Sequence, residues 1–144
     1  MAGIDSSPTA YEMASKAIGS EGLVVGDMYK HRLAIGKFDL ILSISTIHHG
    51  KKAQIKALLD KVHQALLRDG FAYITLPIND SSNEWMTFKD KEEIEAGTYA
   101  PNSGPEKGLP HSFYTREEVE QLFSSYKNFS VDTARGRWLI TAVK

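Results

Sequence analysis

The amino-acid sequence predicts an α/β domain with a mainly parallel sheet and an antiparallel hairpin at its C-terminal end. Short apolar, β-rich segments alternate with segments of helical periodicity over the first half of the chain. This alternation is typical of parallel strands joined by crossover helices. The last two apolar segments, 129–134 and 138–143, are separated only by Arg135-Gly136-Arg137, which indicates a hairpin.

Four strands are expected before the hairpin, in segments 2–5, 22–27, 38–47 and 71–76. Segment 38–47 reads FDLILSISTI and is apolar along nearly its whole length. Such a run predicts a strand that is covered on both faces, as in a parallel sheet. Ligands of parallel sheets lie beyond the carboxyl ends of the strands, so the residues that follow each strand are the candidates for a functional site.

Three helices are expected between and after these strands. Ser7-Pro8 predicts the start of the first, because serine caps helices and proline suits their first position, and Gly19 predicts its end. The second helix should lie between Gly50 and Gly70. Its inner face is Ile55, Leu58, Leu59, Val62 and Leu66. A capping box, Thr115 to Glu118, predicts the start of the third helix, and residues 98–110, with three prolines and two glycines, predict a long loop.

Composition excludes several classes of function. A chain of 144 residues fits one domain over residues 1–144, and 17 basic against 18 acidic side chains do not form the basic surface of a nucleic-acid-binding protein. The absence of cysteine excludes disulfides and thiolate metal sites and fits the reducing cytoplasm. No leader or membrane-length apolar segment is visible. We therefore expect a cytoplasmic protein without nucleic-acid or membrane partners.

An ordered set of motifs is typical of class I S-adenosylmethionine (SAM) methyltransferases. The set is Gly3-Ile4-Asp5-Ser6-Ser7-Pro8, Gly26-Asp27, residues 37–43, Ile47-His48-His49 and residues 66–71. The chain resembles this family over essentially its whole length, although Asp69 stands where the family usually has the first of two glycines. Residues 105–114 and 138–140 resemble the small-molecule branch related to tellurite-resistance methyltransferases. The resemblance implies a Rossmann-like fold, SAM as cofactor and methyl transfer to a small-molecule substrate.

The family's first strand and its glycine-rich turn have no counterpart, since no G-x-G-x-x-G occurs in the sequence. The resemblance therefore implies a fold that is incomplete, or truncated, at its N-terminus, in which the strands near Asp5 and Phe38 lack their shared neighbour. Direct pairing of these strands, a homodimer covering exposed strand edges, and a separate N-terminal fragment all remain open. Exposed edges favour association. The alternative function is a non-catalytic remnant or binding module that has lost SAM binding.

The resemblance implies cofactor-binding roles for residues that follow the strands. Asp5, with Ser6 beside it, would accept hydrogen bonds from the cofactor ribose; the alternative is a helix-entry residue. Asp27 would accept from the adenine amino group and Met28 would contact the adenine ring; the alternative is an ordinary Gly-Asp turn. Near Ser43, the family uses a backbone carbonyl to meet the methionine amine.

Three residues are candidates for catalysis. His48 and His49 would face the reaction space and orient or deprotonate an acceptor; the alternative is a pair that caps a helix. Tyr114 would stack on the substrate or face the sulfonium; the alternative is an aromatic plug beneath the long loop. Because neighbouring helical positions do not share a face, we expect no metal site at these histidines, with or without His111.

Overall fold

The computed structural model describes residues 1–80, 83–87 and 89–144, with only the backbone at 86 and 87. It contains two compact units, residues 1–33 and 34–144, each described by itself. The described elements, in chain order, are β1 (Gly3–Asp5), α1 (Pro8–Ile18), β2 (Leu23–Val25), β3 (Phe38–Ser43), α2 (Lys52–Ala65), β4 (Leu66–Pro77), α3 (Glu84–Thr87), β5 (Lys91–Glu95), β6 (Thr98–Pro101), β7 (His111–Ser112), α4 (Arg116–Leu122), β8 (Asn128–Ala134) and β9 (Arg137–Val143).

The first unit is a βαβ arrangement. β1 and β2 pair in parallel, with Asp5 opposite Val25. The Ser7 hydroxyl accepts from the Ala10 amide at 3.2 Å and so caps α1, as predicted. Gly19, at φ +83°, ends the helix. The crossover from β1 through α1 to β2 places the carboxyl ends of the two strands side by side.

The main sheet of the second unit has the order β3-β4-β9-β8. β3 and β4 pair in parallel, whereas β4 with β9 and β9 with β8 pair antiparallel. The C-terminal hairpin is confirmed. The expectation of a mainly parallel sheet is wrong here, because β9 lies antiparallel beside β4 and its hairpin partner β8 adds a second antiparallel pair. The four-stranded sheet is therefore mixed.

The core of the second unit lies where α2, β4, β9 and α4 meet. Its fully buried apolar side chains include Ile55, Leu59, Leu66, Ile74, Leu76, Val119, Phe123 and Ile140. β3 is not covered on both faces as expected. It lies at the end of its sheet, and Leu40 and Leu42 are 42% and 59% exposed. The inner face of α2 is as predicted, although the helix ends at Ala65 and Leu66 begins β4.

Residues 91–112 contain a three-stranded antiparallel sheet, β5-β6-β7. The long loop expected over residues 98–110 is present only over 102–110, because residues 98–101 form β6. The sequence signal is weak because β5 is mostly charged and β7 has two residues. The predicted capping box of α4 is confirmed: the Thr115 hydroxyl accepts from the Glu118 amide, and the Glu118 carboxylate accepts from the Thr115 amide. Among the described helices, none combines the length and hydropathy needed to cross a membrane.

Candidate active site

A tight turn after β3 carries two of the predicted catalytic residues. Ser45 adopts φ +54°, and its amide donates to the Thr75 hydroxyl at 2.8 Å. The amide of Gly50 donates to the carbonyl of His48 at 3.0 Å. These bonds hold His48 and His49 in a turn rather than a helix, with ring centroids 4.1 Å apart. The expectation from the sequence that the two histidines lie on a helix and point to different faces is wrong.

Strand β7 brings a third histidine to this turn. The Ser112 amide donates to the His48 carbonyl at 3.0 Å, and the Ser112 hydroxyl donates to the Gly50 carbonyl at 2.7 Å. These bonds place the His111 ring 5.7 Å from that of His48 and 4.8 Å from that of His49, between centroids. We call His48, His49 and His111 the histidine cluster.

The histidine cluster forms one wall of an open cavity of about 880 Å³, which we call the histidine cavity. Cavities of this size are typical of small-molecule sites. The Trp85 ring adds an aromatic wall, with its centroid 5.0 Å from His111 and 4.8 Å from Phe113. The lining residues are Ser45, His48, His49, Pro77, Asn83, Glu84, Trp85, Glu106, His111, Phe113, Arg135, Gly136 and Arg137.

The β8–β9 turn supplies two cations to this cavity, Arg135 and Arg137. The side-chain amide of Asn83 donates to the carbonyls of Ile78 and Gly136, at 3.0 and 3.1 Å, and so fixes the turn. Nη1 of Arg137 is buried and has no hydrogen-bond partner within the described part of the chain. Such a group is expected to bind an acceptor atom of a ligand, because a buried donor without a partner is destabilising.

The electrostatic environment keeps two of the histidines neutral. Burial lowers the pKa of His48 to about 2, and the positive charges that His49, Arg137 and His111 can carry act in the same direction. Burial and His111 also lower the pKa of His49, while Glu106 opposes them. An imidazole with a pKa far below neutrality is a weak proton acceptor. The lowered pKa therefore disfavours His48 as a general base at neutral pH.

The comparisons with known proteins assign the chain to a family. The sequence model of the methyltransferase domain matches residues 1–74, just over half of the 144 residues. The chain belongs to this methyltransferase domain family. Among curated proteins, none matches the sequence.

Solved structures confirm the Rossmann-like class I methyltransferase fold. A SAM-dependent methyltransferase from Methanosarcina mazei is 18% identical, with a TM-score of 0.71 over 99% of this chain and 81% of that chain. One from Mesorhizobium loti is 17% identical, with a TM-score of 0.66 over 98% and 78%. The 1,6-didemethyltoxoflavin-N1-methyltransferase of Burkholderia thailandensis, solved with 1,6-didemethyltoxoflavin and S-adenosylhomocysteine, is 17% identical, with a TM-score of 0.65 over 98% and 59%.

The predicted adenosine-binding carboxylates of this methyltransferase domain follow neighbouring parallel strands. The Asp5 carboxylate accepts from the Ser7 amide at 2.8 Å, at the entry to α1. The Asp27 carboxylate accepts from the Tyr29 amide at 2.8 Å, and this bond lowers the pKa of Asp27. The Gly26 amide donates to the Asp5 carbonyl at 2.8 Å and joins the two strand ends. Ser6 is exposed and Met28 is half-buried in the same unit.

Two predicted site residues of the second unit, Tyr114 and Ser43, lie outside the lining of the histidine cavity. Tyr114 is 1% exposed, and the Lys52 ammonium lies 5.4 Å from its ring centroid. In this structure the Tyr114 side chain is buried and does not reach the histidine cavity, so the expected stacking on a substrate has no support from it. Ser43 is half-buried at the end of β3, opposite Ile74 in β4.

Sequence reasoning missed several residues that line the histidine cavity: Asn83, Trp85, Glu106, Arg135 and Arg137. Arg135 and Arg137 are visible in the sequence as two cations flanking a turn glycine, a pattern interpreted only as a hairpin turn. Trp85 stands with Met86 and Phe88 in a segment that the sequence marks for packing, but nothing local shows that its ring lines a cavity. Asn83 and Glu106 carry no local signal, since their roles depend on contacts across the fold.

Proposed function

We propose that this methyltransferase domain transfers the methyl group of SAM to a small-molecule acceptor bound in the histidine cavity. The main support for the proposal is that the cavity lies at the carboxyl ends of the strands in a chain of the methyltransferase domain family. Ser45 and Pro77, which line the cavity, lie at the carboxyl ends of β3 and β4, where open α/β sheets bind their ligands. The volume of about 880 Å³ suits a small acceptor.

The residues of the first unit fit the adenosine half of the cofactor. Ribose hydroxyls and the adenine amino group are hydrogen-bond donors, and the side-chain oxygens of Asp5 and Asp27 supply acceptors for them. Ser6 and Met28 lie beside these carboxylates in the sequence, and Ser43 ends β3 in the second unit. When bound, SAM supplies an electrophilic methyl group. The protein has to position the acceptor and exclude water.

The chain's own residues in the histidine cavity would bind and orient the acceptor. Neutral His48 and His49 form hydrogen bonds without carrying charge, and Trp85 and Phe113 offer apolar ring surface. Nη1 of Arg137 would donate to an oxygen or another acceptor atom of the substrate. None of these contacts requires a general base.

Further elements of the proposal rest on individual features. Segment 105–114, which carries the resemblance to the tellurite-resistance branch, contributes Glu106, His111 and Phe113 to the cavity. We also propose one methyltransferase domain over residues 1–144 and a cytoplasmic location, which the absence of cysteine supports. The exposed Leu40 and Leu42 on β3 support a homodimer, which light scattering of the purified chain would test.

A binding module without catalysis is the second candidate function, because the sequence contains no G-x-G-x-x-G to approach the methionine part of SAM. Isothermal titration with SAM and S-adenosylhomocysteine separates the two candidates. We expect Asp5→Ala and Asp27→Asn each to weaken binding by at least about tenfold, since hydrogen bonds to charged groups contribute roughly 1.5–3 kcal/mol. Asp132→Asn, an exposed carboxylate on β8, is the matched control and should bind as the wild type does.

Methyl transfer is then measured with isotope-labelled SAM and pools of small molecules. Transfer that depends on both Asp5 and Arg137 supports the proposal. A folded chain that binds neither SAM nor S-adenosylhomocysteine would overturn it in favour of the binding module. A chain that binds SAM with equal affinity in all variants would refute the assignment of the two carboxylates.

A further inference from the structure

The histidine cluster brings three ring nitrogens to one place. The candidate ligand atoms of His48, His49 and His111 all lie within 4.8 Å of one another. In a tetrahedral zinc site with metal–nitrogen distances of 2.0–2.1 Å, neighbouring ligand atoms are about 3.3 Å apart. Side-chain rotations that bring the nitrogens closer by roughly 1.5 Å would give this spacing, and the backbone bonds that join the turn to β7 already fix the three residues.

One ring nitrogen of His48 lacks a hydrogen-bond partner in the part of the chain that the structure describes. The side chain is 3% exposed, and its Nδ1 atom is buried without a hydrogen-bond partner among the described residues. A buried polar atom in this state is destabilising and rare in native proteins. A metal ion would satisfy it, because neutral imidazole is among the commonest metal ligands in proteins.

A backbone carbonyl fixes the ring of His111, as is common for metal-binding histidines. Its Nδ1 lies 2.8 Å from the Leu109 carbonyl oxygen, which can only accept, so Nδ1 carries the proton. A backbone carbonyl on one ring nitrogen leaves the other free to bind metal and fixes the orientation of the ring. The Nε2 lone pair then faces the cavity.

Glu106 faces that same nitrogen. Its Oε2 atom is 3.2 Å from Nε2 of His111, which matches the spacing of two ligands on one zinc ion. A lone pair and a carboxylate at this distance repel each other unless a proton or a metal ion lies between them. Glu106 and Glu84 also bring negative charge to a cavity that Arg135 and Arg137 line, which offsets part of their positive charge.

We propose that His48, His49 and His111, with Glu106 as fourth ligand, form a binding site for a divalent transition-metal ion of the zinc type. Imidazole and carboxylate ligands suit zinc, and the sequence offers no thiolate that would favour a softer ion. Metal binding by these side chains does not depend on the proposed methyl transfer. The ion could also hold the nucleophilic atom of the acceptor, and this role does rest on the proposed methyl transfer.

The test is titration of the chelator-treated full chain with Zn²⁺ in a calorimeter and with Co²⁺ by visible absorption, both without SAM. We expect one ion per chain and the intense absorption of low-coordinate Co²⁺. His49→Gln and His111→Gln should weaken affinity at least about tenfold, and Glu106→Gln should weaken it less. His63→Gln, which removes an imidazole packed on Tyr126 outside the cluster, is the matched control and should bind as the wild type does.

A measurement on the wild type guards against variants that fail to fold. The chain has five histidines, and imidazole nitrogen resonances show which of them bind Zn²⁺. Shifts confined to His48, His49 and His111 support the site. Absence of stoichiometric binding, shifts at His31 or His63 instead, or unchanged affinity in folded His49→Gln and His111→Gln would overturn it. Because SAM is absent, failure of methyl transfer would leave this result unaffected.

Discussion

Ser112 joins the two segments that build the histidine cluster, and its replacement by alanine is the most informative single change. The hydroxyl donates to the Gly50 carbonyl at 2.7 Å and lies 2.7 Å from the Thr98 hydroxyl. Ser112 and Thr98 are both fully buried. Ser112→Ala therefore leaves the Gly50 carbonyl without this donor in a place that excludes water, and β7 loses one of its bonds to the turn that carries His48.

The expected loss of stability follows from that unmet acceptor. Removing one partner of a buried hydrogen bond costs about 1–3 kcal/mol. For 144 residues, an unfolding entropy of about 2.1 cal/mol/K per residue converts 1 kcal/mol into a change in Tm of roughly 3 °C. Ser112→Ala should therefore lower Tm by about 3–10 °C, measured by circular dichroism or calorimetry, together with the denaturant midpoint at constant m-value.

Two further variants isolate the cause. Ser130→Ala changes an exposed serine on β8 and should stay within about 0.5 kcal/mol of the wild type. Thr98→Val combined with Ser112→Ala removes both hydroxyls, and the pair should lose less than the sum of the single changes, because neither hydroxyl is left facing an apolar group. A Tm for Ser112→Ala within 1 °C of that of Ser130→Ala would refute the reasoning.

Three other changes test the backbone, a helix cap and an ion pair. Gly97→Ala should destabilise by more than about 1–2 kcal/mol, because φ is +73° and the new Cβ would lie 3.2 Å from the backbone carbonyl oxygen of Phe113. Thr115→Ala should cost about 1 kcal/mol through loss of the α4 cap. The Lys127 ammonium lowers the pKa of Asp69. The Asp69 carboxylate therefore stabilises the fold at pH values above 3.8, its ordinary pKa. Asp69→Asn should therefore be less stable than wild type at neutral pH, and the difference should vanish as the pH falls through the lowered folded pKa.

All three changes are measured by denaturant unfolding, and the first two have a control within the chain. Gly104→Ala has the same left-handed backbone, at φ +81°, but no atom within 4 Å of its Cβ, so equal losses at both glycines would contradict the steric argument. Thr133→Ala, exposed on β8, should leave stability unchanged, unlike Thr115→Ala. For Asp69, a difference from wild type that persists in acid would contradict the ion-pair explanation.

Local signals in the sequence predicted the parts of the fold that depend on neighbours along the chain. The Ser7-Pro8 start of α1, the Thr115 capping box and the hairpin around Gly136 are all in place, because each rests on hydrogen bonds within a few residues. The parallel order was predicted only in part. Nothing local shows that β9 pairs with β4, since that choice depends on which apolar faces meet in the core.

Site residues could be predicted where their neighbours in the sequence identify them, and were missed where contacts between distant segments place them. His48 and His49 could be identified because they follow a strand, but their partner His111 lies more than sixty positions later in a two-residue strand. Tyr114 was a candidate because the resembled family covers its acceptor pocket with the region before the last helix, yet alternation along the chain turns its side chain away from His111 and into the core. The arginines were visible, but only the pairing of β8 with β9 places them at the cavity.

The turn that carries those arginines has the geometry of a two-residue hairpin loop in which both positions are left-handed, with φ +50° at Arg135 and φ +69° at Gly136. Such loops favour asparagine followed by glycine, so asparagine would suit the backbone at position 135 better than Arg135 does. Arg135 is exposed, so its replacement would not disturb the hydrophobic core. The charge of the histidine cavity can thus be changed at a single loop position, Arg135, where the same replacement is expected to raise folding stability.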